Sequence, residues 1–274
     1  MESMKKEAGK MKVAKLLVMI WSLGGYTCPI SAAQVDLIRL KKLYQQLESN
    51  SPSTRFDAAE AIVSTPEFLH YPETAGRMLK FLEAEQREVE RRYASGEGYE
   101  GWGERRRELL IAAWKLWKDN LTPYAFRIFV RTSYSAGLFG KEIGVRASRF
   151  VGELLTLAAY DHNEFVRENA TRVVGLVLAE DRQGSVKLTD EEREALKRRL
   201  VAASTDLNLG VRYAVINSLA LIGGRWSLDL LEQMYEREHT FHPAGENPLY
   251  LESDLKLIKE AMRKVQATLD RPAR

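Results

Sequence analysis

The stretch DHNEFVR, Asp161 to Arg167, returns as DLNLGVR, Asp206 to Arg212, with the two starts 45 residues apart. Both follow the pattern D-x-N-x-x-V-R. A leucine stands twelve residues before each arginine, Leu155 and Leu200. Small residues follow it, Ala158-Ala159 and Ala202-Ala203. After the arginine come apolar positions at helical spacing: Ala170, Val173, Val174 and Leu176 in one copy, Val215, Leu219 and Leu221 in the other. The repeated unit is therefore a helix, a polar turn and a second helix. A weaker third copy lies near the start, where Leu43 precedes Arg55 by twelve residues and Ala58, Ala61 and Ile62 follow.

Helical period dominates from residue 34 onward. It predicts helices near 35–48, 53–64, 72–93, 104–119, 122–135, 140–159, 163–179, 189–204, 208–222, 226–237 and 251–268. Thr189-Asp190 before an acidic first turn, Pro123 at a helix start, and Gly223-Gly224 at a helix end punctuate the series. Strand-type alternation is scarce. The expected fold is all-α, with about five stacked antiparallel helix pairs spanning residues 34–274. One helix pair cannot bury its apolar face alone, and stacked pairs can. Two segments interrupt the pairing as loop insertions, near 93–104 and 238–250.

This arrangement resembles the HEAT/armadillo class of α-solenoid repeat, whose period is about 40–47 residues. In that class a turn aspartate and an arginine early in the second helix commonly link neighbouring repeats. By resemblance Asp161, Arg167, Asp206 and Arg212 take those places, with Asn163 and Asn208 in the same turns. GVRAS, Gly144 to Ser148, also looks like the start of a second helix, but it lies only 21 residues before Val166-Arg167. The register between residues 66 and 160 is therefore open.

The first 33 residues differ from the rest. They hold five lysines against two glutamates, which accounts for the chain's whole net charge of +3; the remaining 36 basic and 36 acidic residues balance. A lysine-bearing start, an apolar LLVMIWSLGG and a small-residue Ser31-x-Ala33 describe an export signal cut between Ala33 and Gln34. Met11 stands directly before this pattern and is an alternative start. The competing expectations are a retained membrane anchor through residues 16–35 and a cytosolic chain. Cys28, the only cysteine, falls inside this leader. A chain beginning at Gln34 has no thiol for a disulfide, a thiolate metal site or a nucleophile.

Motifs that carry chemistry are absent: no G-x-S-x-G, H-E-x-x-H, phosphate-binding loop or dinucleotide fingerprint. His239 and His242, three apart among glutamates, are too few for a metal shell. No cofactor and no metal is expected. The balanced body gives no basis for nucleic-acid binding. ERRRELLIAAWKLW sets Arg105, Arg106 and Arg107 beside Trp114 and Trp117, but helical spacing favours a core for the tryptophans and a solvated charged face for the arginines. GRMLKFLEAEQREVERRY reads as an exposed helix held by pairs such as Glu83–Arg87.

The expected function is that of an exported, non-enzymatic scaffold, binding another protein through its concave face or its ridge loops, with no membrane contact after cleavage. Tyr99, Trp102, Tyr134 and Phe241 are the candidate contact residues, because aromatic side chains are enriched at interfaces. The alternative is a HEAT-like enzyme of the alkylated-base DNA glycosylase type, should the leader not direct export. None of that family's catalytic residues is carried over onto positions of this sequence.

Overall fold

The computed structural model describes residues 32–95, 103–119, 121–132, 135–240 and 248–270. The chain divides into two compact units, Met1–Lys42 and Leu43–Arg274. Of the first unit, the described part is helical and belongs to α1, Ala32–Leu47. Ala33 and Gln34, on either side of the expected cleavage, lie in the first turn of that helix. Most of the leader lies outside the described residues. Among those that are described, no helix is long and apolar enough to cross a membrane.

In the second unit the helices follow as α2 (Pro52–Val63), α3 (Pro72–Ala94), α4 (Gly103–Trp117), α5 (Pro123–Arg131) and α6 (Ser135–Ala147). Then come α7 (Val151–Tyr160), α8 (Glu164–Arg182), α9 (Asp190–Ala203), α10 (Leu209–Ile222), α11 (Arg225–Thr240) and α12 (Pro248–Leu269). No strand occurs among the described residues. The first helices of successive pairs, α3, α5, α7 and α9, pack side by side in one layer. The second helices, α6, α8, α10 and α12, pack in the other. The unit is an all-α, HEAT/armadillo-like solenoid.

Local chemistry explains where the helices begin. Thr189 accepts a hydrogen bond from the Glu192 N–H while the Glu192 carboxylate accepts from the Thr189 N–H, a capping box that satisfies two otherwise unpaired donors. Thr122 caps α5 by accepting from Ala125 N–H at 3.2 Å, with Pro123 in the first turn where no amide proton is needed.

The predicted single helix over 140–159 is two helices. α6 ends at Ala147, a short 3-10 turn covers Ser148–Phe150, and α7 starts at Val151. Phe150 leaves helical geometry at φ −132° and ψ 38°, and its ring stacks on Phe126 at 4.9 Å. Gly144 to Ser148 is thus not a helix start. Gly144 lies within α6, where its missing side chain lets the helix approach Leu176 of α8. Arg146 pairs with Asp119 at 2.7 Å. The short spacing to Arg167 arises because Arg146 sits at the end of its helix and Arg167 near the start of its own.

The tryptophans of the arginine-rich stretch are core. Trp114 stacks on Phe139 at 4.5 Å, meets Phe129 edge-on at 5.2 Å, and donates its indole N–H to Glu142 at 2.9 Å. Of the arginines only Arg107 stands on a solvated face. Arg106 is buried and donates to Gln86, while Arg105 bonds Glu60 and Asp57 of α2. The second half of α3 differs from expectation too. Arg87 does pair with Glu83, at 2.6 Å, but Glu85 and Gln86 are buried. Glu85 accepts from Arg55 at 2.7 Å, so a carboxylate closed off from water is matched by a guanidinium.

Candidate interaction surface

The turns that join first to second helices lie along one ridge, and their side chains are arranged alike in three places. Asp161 Oδ1 accepts from the Asn163 N–H at 3.1 Å, and Asn163 Oδ1 caps α8 by accepting from Phe165 N–H at 2.9 Å. Asp206 Oδ1 accepts from the Asn208 N–H at 2.9 Å, and Asn208 caps α10 through Val211 N–H at 3.2 Å. In the first turn serines do both tasks: Ser49 Oγ accepts from Ser51 N–H at 3.2 Å, and Ser51 caps α2 through Thr54 N–H. Hydroxyl and carboxamide oxygens are equivalent acceptors here.

Each turn also holds an arginine that binds backbone carbonyls. Arg167 Nη1 donates to the carbonyls of Asp161 and His162, at 3.0 and 3.4 Å. Arg212 Nη1 donates to those of Asp206 and Leu207, at 3.0 and 3.3 Å. Arg55 Nη1 donates to those of Ser49 and Asn50, at 2.9 and 3.3 Å. The rest of each guanidinium faces an acid of a later helix pair. Arg55 meets Glu85, Arg167 meets Asp206 through two bonds of 3.2 Å, and Arg212 approaches Glu238 at 4.0 Å. Arg131 completes the series by bridging Glu90 and Asp161. Burial alone pushes the Asp206 carboxyl up. The Arg167 bonds and the Asn208 N–H outweigh it and hold the group below its ordinary value.

Asn169, which the sequence did not single out, braces the link between α5 and α6. Its Nδ2 donates to the Val130 carbonyl at 2.6 Å, and its Oδ1 accepts from Ala136 N–H at 3.1 Å. No spacing rule marks such a residue, because its partners lie more than thirty positions away.

With the polar groups of the turns occupied in this way, the ridge presents apolar surface. Leu207 is 99% exposed and Tyr160 is 84% exposed. His162, at the place in its turn that Leu207 holds in the next, is also largely exposed. Several grooves lie elsewhere. One of 370 Å³ on the second-helix layer is lined by Gly137, Arg172, Leu176, Asn217 and Leu221. Another of 510 Å³ lies beside α3, α5 and α7, with Arg87, Arg127 and Arg131 offset by Glu83 and Glu153. There Tyr124 donates to Glu83 at 2.6 Å, and burial with this bond pushes its phenol up to about 12.

Tyr99, Trp102, Tyr134 and Phe241 lie outside the described residues, as does His242. His239 stacks on Tyr235 at 5.8 Å. Among the described residues no group of three or more histidines, cysteines and carboxylates is placed to hold a metal ion.

No protein-family model and no curated protein matches the chain. Solved structures similar to it include two engineered proteins of the Northeast Structural Genomics Consortium. Both are 14% identical, with TM-scores of 0.35 and 0.37, covering 83% of this chain and 96% and 98% of theirs. A designed armadillo repeat protein is 15% identical, with a TM-score of 0.36, covering 82% of this chain and 99% of its own. At that degree of overlap they add nothing to the packing of the chain itself, on which the HEAT-like architecture stands.

Proposed function

We propose that this chain is an exported, non-enzymatic scaffold that binds another protein along the ridge of turns between its helix pairs. The observation that carries this reading is the exposure of Leu207 within a turn, and of Tyr160 just before one, where the polar groups of the turns are engaged in holding the fold. Large apolar side chains left in water suit a contact surface, since burying them on binding is favourable. The balanced charge of residues 34–274 fits a protein partner better than a nucleic acid. The leader's lysines, apolar segment and Ser31-x-Ala33 support export, with membrane retention as the competing outcome.

The test is fractionation and intact mass of the expressed full-length chain, followed by photo-crosslinking from a reactive residue at position 207. A species starting at Gln34 in the exported fraction, with one dominant protein crosslink, is the expected result. An uncut cytosolic species retained on DNA at low salt would overturn it.

A further inference from the structure

Arg199 is the exception on this ridge. It lies on the buried side of α9, between Leu196 and Ala203, where α9 packs against α7. Its Nε is shut off from solvent and has no hydrogen-bond partner. The charged groups around it are Asp206, Arg167 and the Tyr160 phenol. Asp206 is already taken, because both of its oxygens accept from Arg167 and one also accepts from the Asn208 N–H. Asp161 is taken by Arg131 and by the Asn163 N–H. Burial and the like charge of Arg167 weaken this guanidinium's hold on its proton, partly offset by Asp206.

Pairing on the ridge is accordingly unequal. Among these described groups Arg131, Arg167, Arg199, Arg212 and Arg237 face Glu90, Asp161, Asp206 and Glu238, and Arg199 is the cation without a carboxylate in contact. Leaving a partly buried guanidinium Nε without an acceptor is unfavourable, and the field of Asp206 offsets it only in part. The apolar neighbours are the exposed Tyr160, which precedes Asp161, and Leu207, which follows Asp206.

We propose that Arg199 is the anchor for a side-chain carboxylate of the partner protein, in an acidic segment whose apolar residues rest on Tyr160 and Leu207. This rests on the scaffold reading and names the chemistry of its partner. With Nε closed off inside the fold, it is the outer Nη1 and Nη2 groups of the planar guanidinium that would meet the carboxylate. One such cation calls for one anion, whereas a polyanion such as nucleic acid would meet Asp161 and Asp206 in the same turns. Tyr160 and Leu207 offer contact area for apolar side chains on either side of that ion pair.

The experiment selects a random dodecapeptide library, displayed on phage, against the full chain. Enriched peptides are then measured against Arg199→Met and Leu207→Ser variants. The expected peptides carry Asp or Glu next to an apolar residue. Their affinity falls between about tenfold and a hundredfold in Arg199→Met, and by a similar factor when the peptide's acid becomes an amide. Leu207→Ser weakens them too. The melting temperature of Arg199→Met stays level or rises, because the arginine has no acceptor in the fold to lose; this separates lost binding from lost folding. Binders lacking acids, or binders that bind Arg199→Met equally well, overturn the Arg199 site while leaving the scaffold reading intact. A 20-nucleotide single strand that competes at Arg199 also overturns it, in favour of a polyanion. A library with no binder and a chain with no crosslinked protein remove both.

Discussion

Arg167 and Asp206 meet fork to fork across 39 residues of sequence, Nε to Oδ2 and Nη2 to Oδ1, each at 3.2 Å. The same arginine clamps the carbonyls of its own turn, so one side chain fixes the loop behind it and the helix pair ahead of it. Both partners are mostly buried, with 19% and 12% of their side-chain surface exposed, so the pair is less screened than a surface bridge. Asp206→Asn and Arg167→Met are each expected to lower unfolding free energy by about 1.5–3 kcal/mol. Urea titration of the two singles and the double should return a clear positive coupling. Strict additivity would show that the two ends of the bridge act independently.

The caps of the three turns should be interchangeable in energy despite their different side chains. Ser51, Asn163 and Asn208 all sit at extended backbone angles and each accepts one amide proton of the following helix. Replacing any of them by alanine should cost about 1 kcal/mol, read as a shift in the urea midpoint with unchanged slope. A negligible cost at Ser51 alone would mark the first copy as only a geometric likeness.

Helix spacing in the second-helix layer depends on Gly175. A Cβ there would lie 2.2 Å from Ser218 Oγ and 2.9 Å from the Ser218 Cα, and the backbone of α10 cannot yield as a flexible side chain could. Gly175→Ala is therefore expected to destabilise by about 1–3 kcal/mol or more. Gly152, in α7, has nothing within 4 Å of the same atom, so Gly152→Ala should stabilise by up to about 1 kcal/mol. The opposite signs of the same substitution, measured by thermal melting, make each variant the control for the other.

What the sequence made legible and what it did not divide along the range of the interactions. The D-x-N turns, the arginines and the period can be read locally, because a cap and the N–H it accepts from lie two or three residues apart. The serine version at Ser49 and Ser51 keeps the acceptor but loses the letters, so only its leucine and alanine spacing pointed to it. Glu85 is buried although its charge predicts an exposed position, and its partner Arg55 is thirty residues away. The spacing over 140–159 predicts one helix because nothing in Ser148-Arg149-Phe150 is a strong breaker. Stacking on Phe126 accompanies the interruption there. The exposed ridge positions carry no periodic signal at all, since Leu207 in a turn reads like any apolar residue.

Asn169 is the clearest residue found only in three dimensions. Buried between the end of α5 and the start of α6, it supplies an acceptor to Ala136 N–H and a donor to the Val130 carbonyl. Asn169→Ala leaves both backbone groups short of a partner and should cost about 2–4 kcal/mol. Amide hydrogen exchange should accelerate at Ala136 before it does in α8 or α10. Equal acceleration everywhere would show that the brace is part of the global core and not a local one.

Acid should weaken the fold in a defined window. Asp206 and Asp181 are each pushed up by burial, and each is carried below its ordinary value by an arginine and a backbone N–H, Arg167 with Asn208 and Arg193 with Leu188. A carboxyl whose pKa is lower folded than unfolded favours the fold wherever it is ionised in both states. Its contribution is therefore complete above the unfolded value of about 3.9, and disappears as the pH falls through the folded value, where the native state must also take up the proton. The melting temperature should hold from neutral pH to about pH 5 and decline below about pH 4. Asp206→Asn and Asp181→Asn should each start lower at neutral pH and fall less steeply in acid, since each removes one proton-uptake step. Parallel curves for wild type and both variants would place the acid sensitivity elsewhere in the chain.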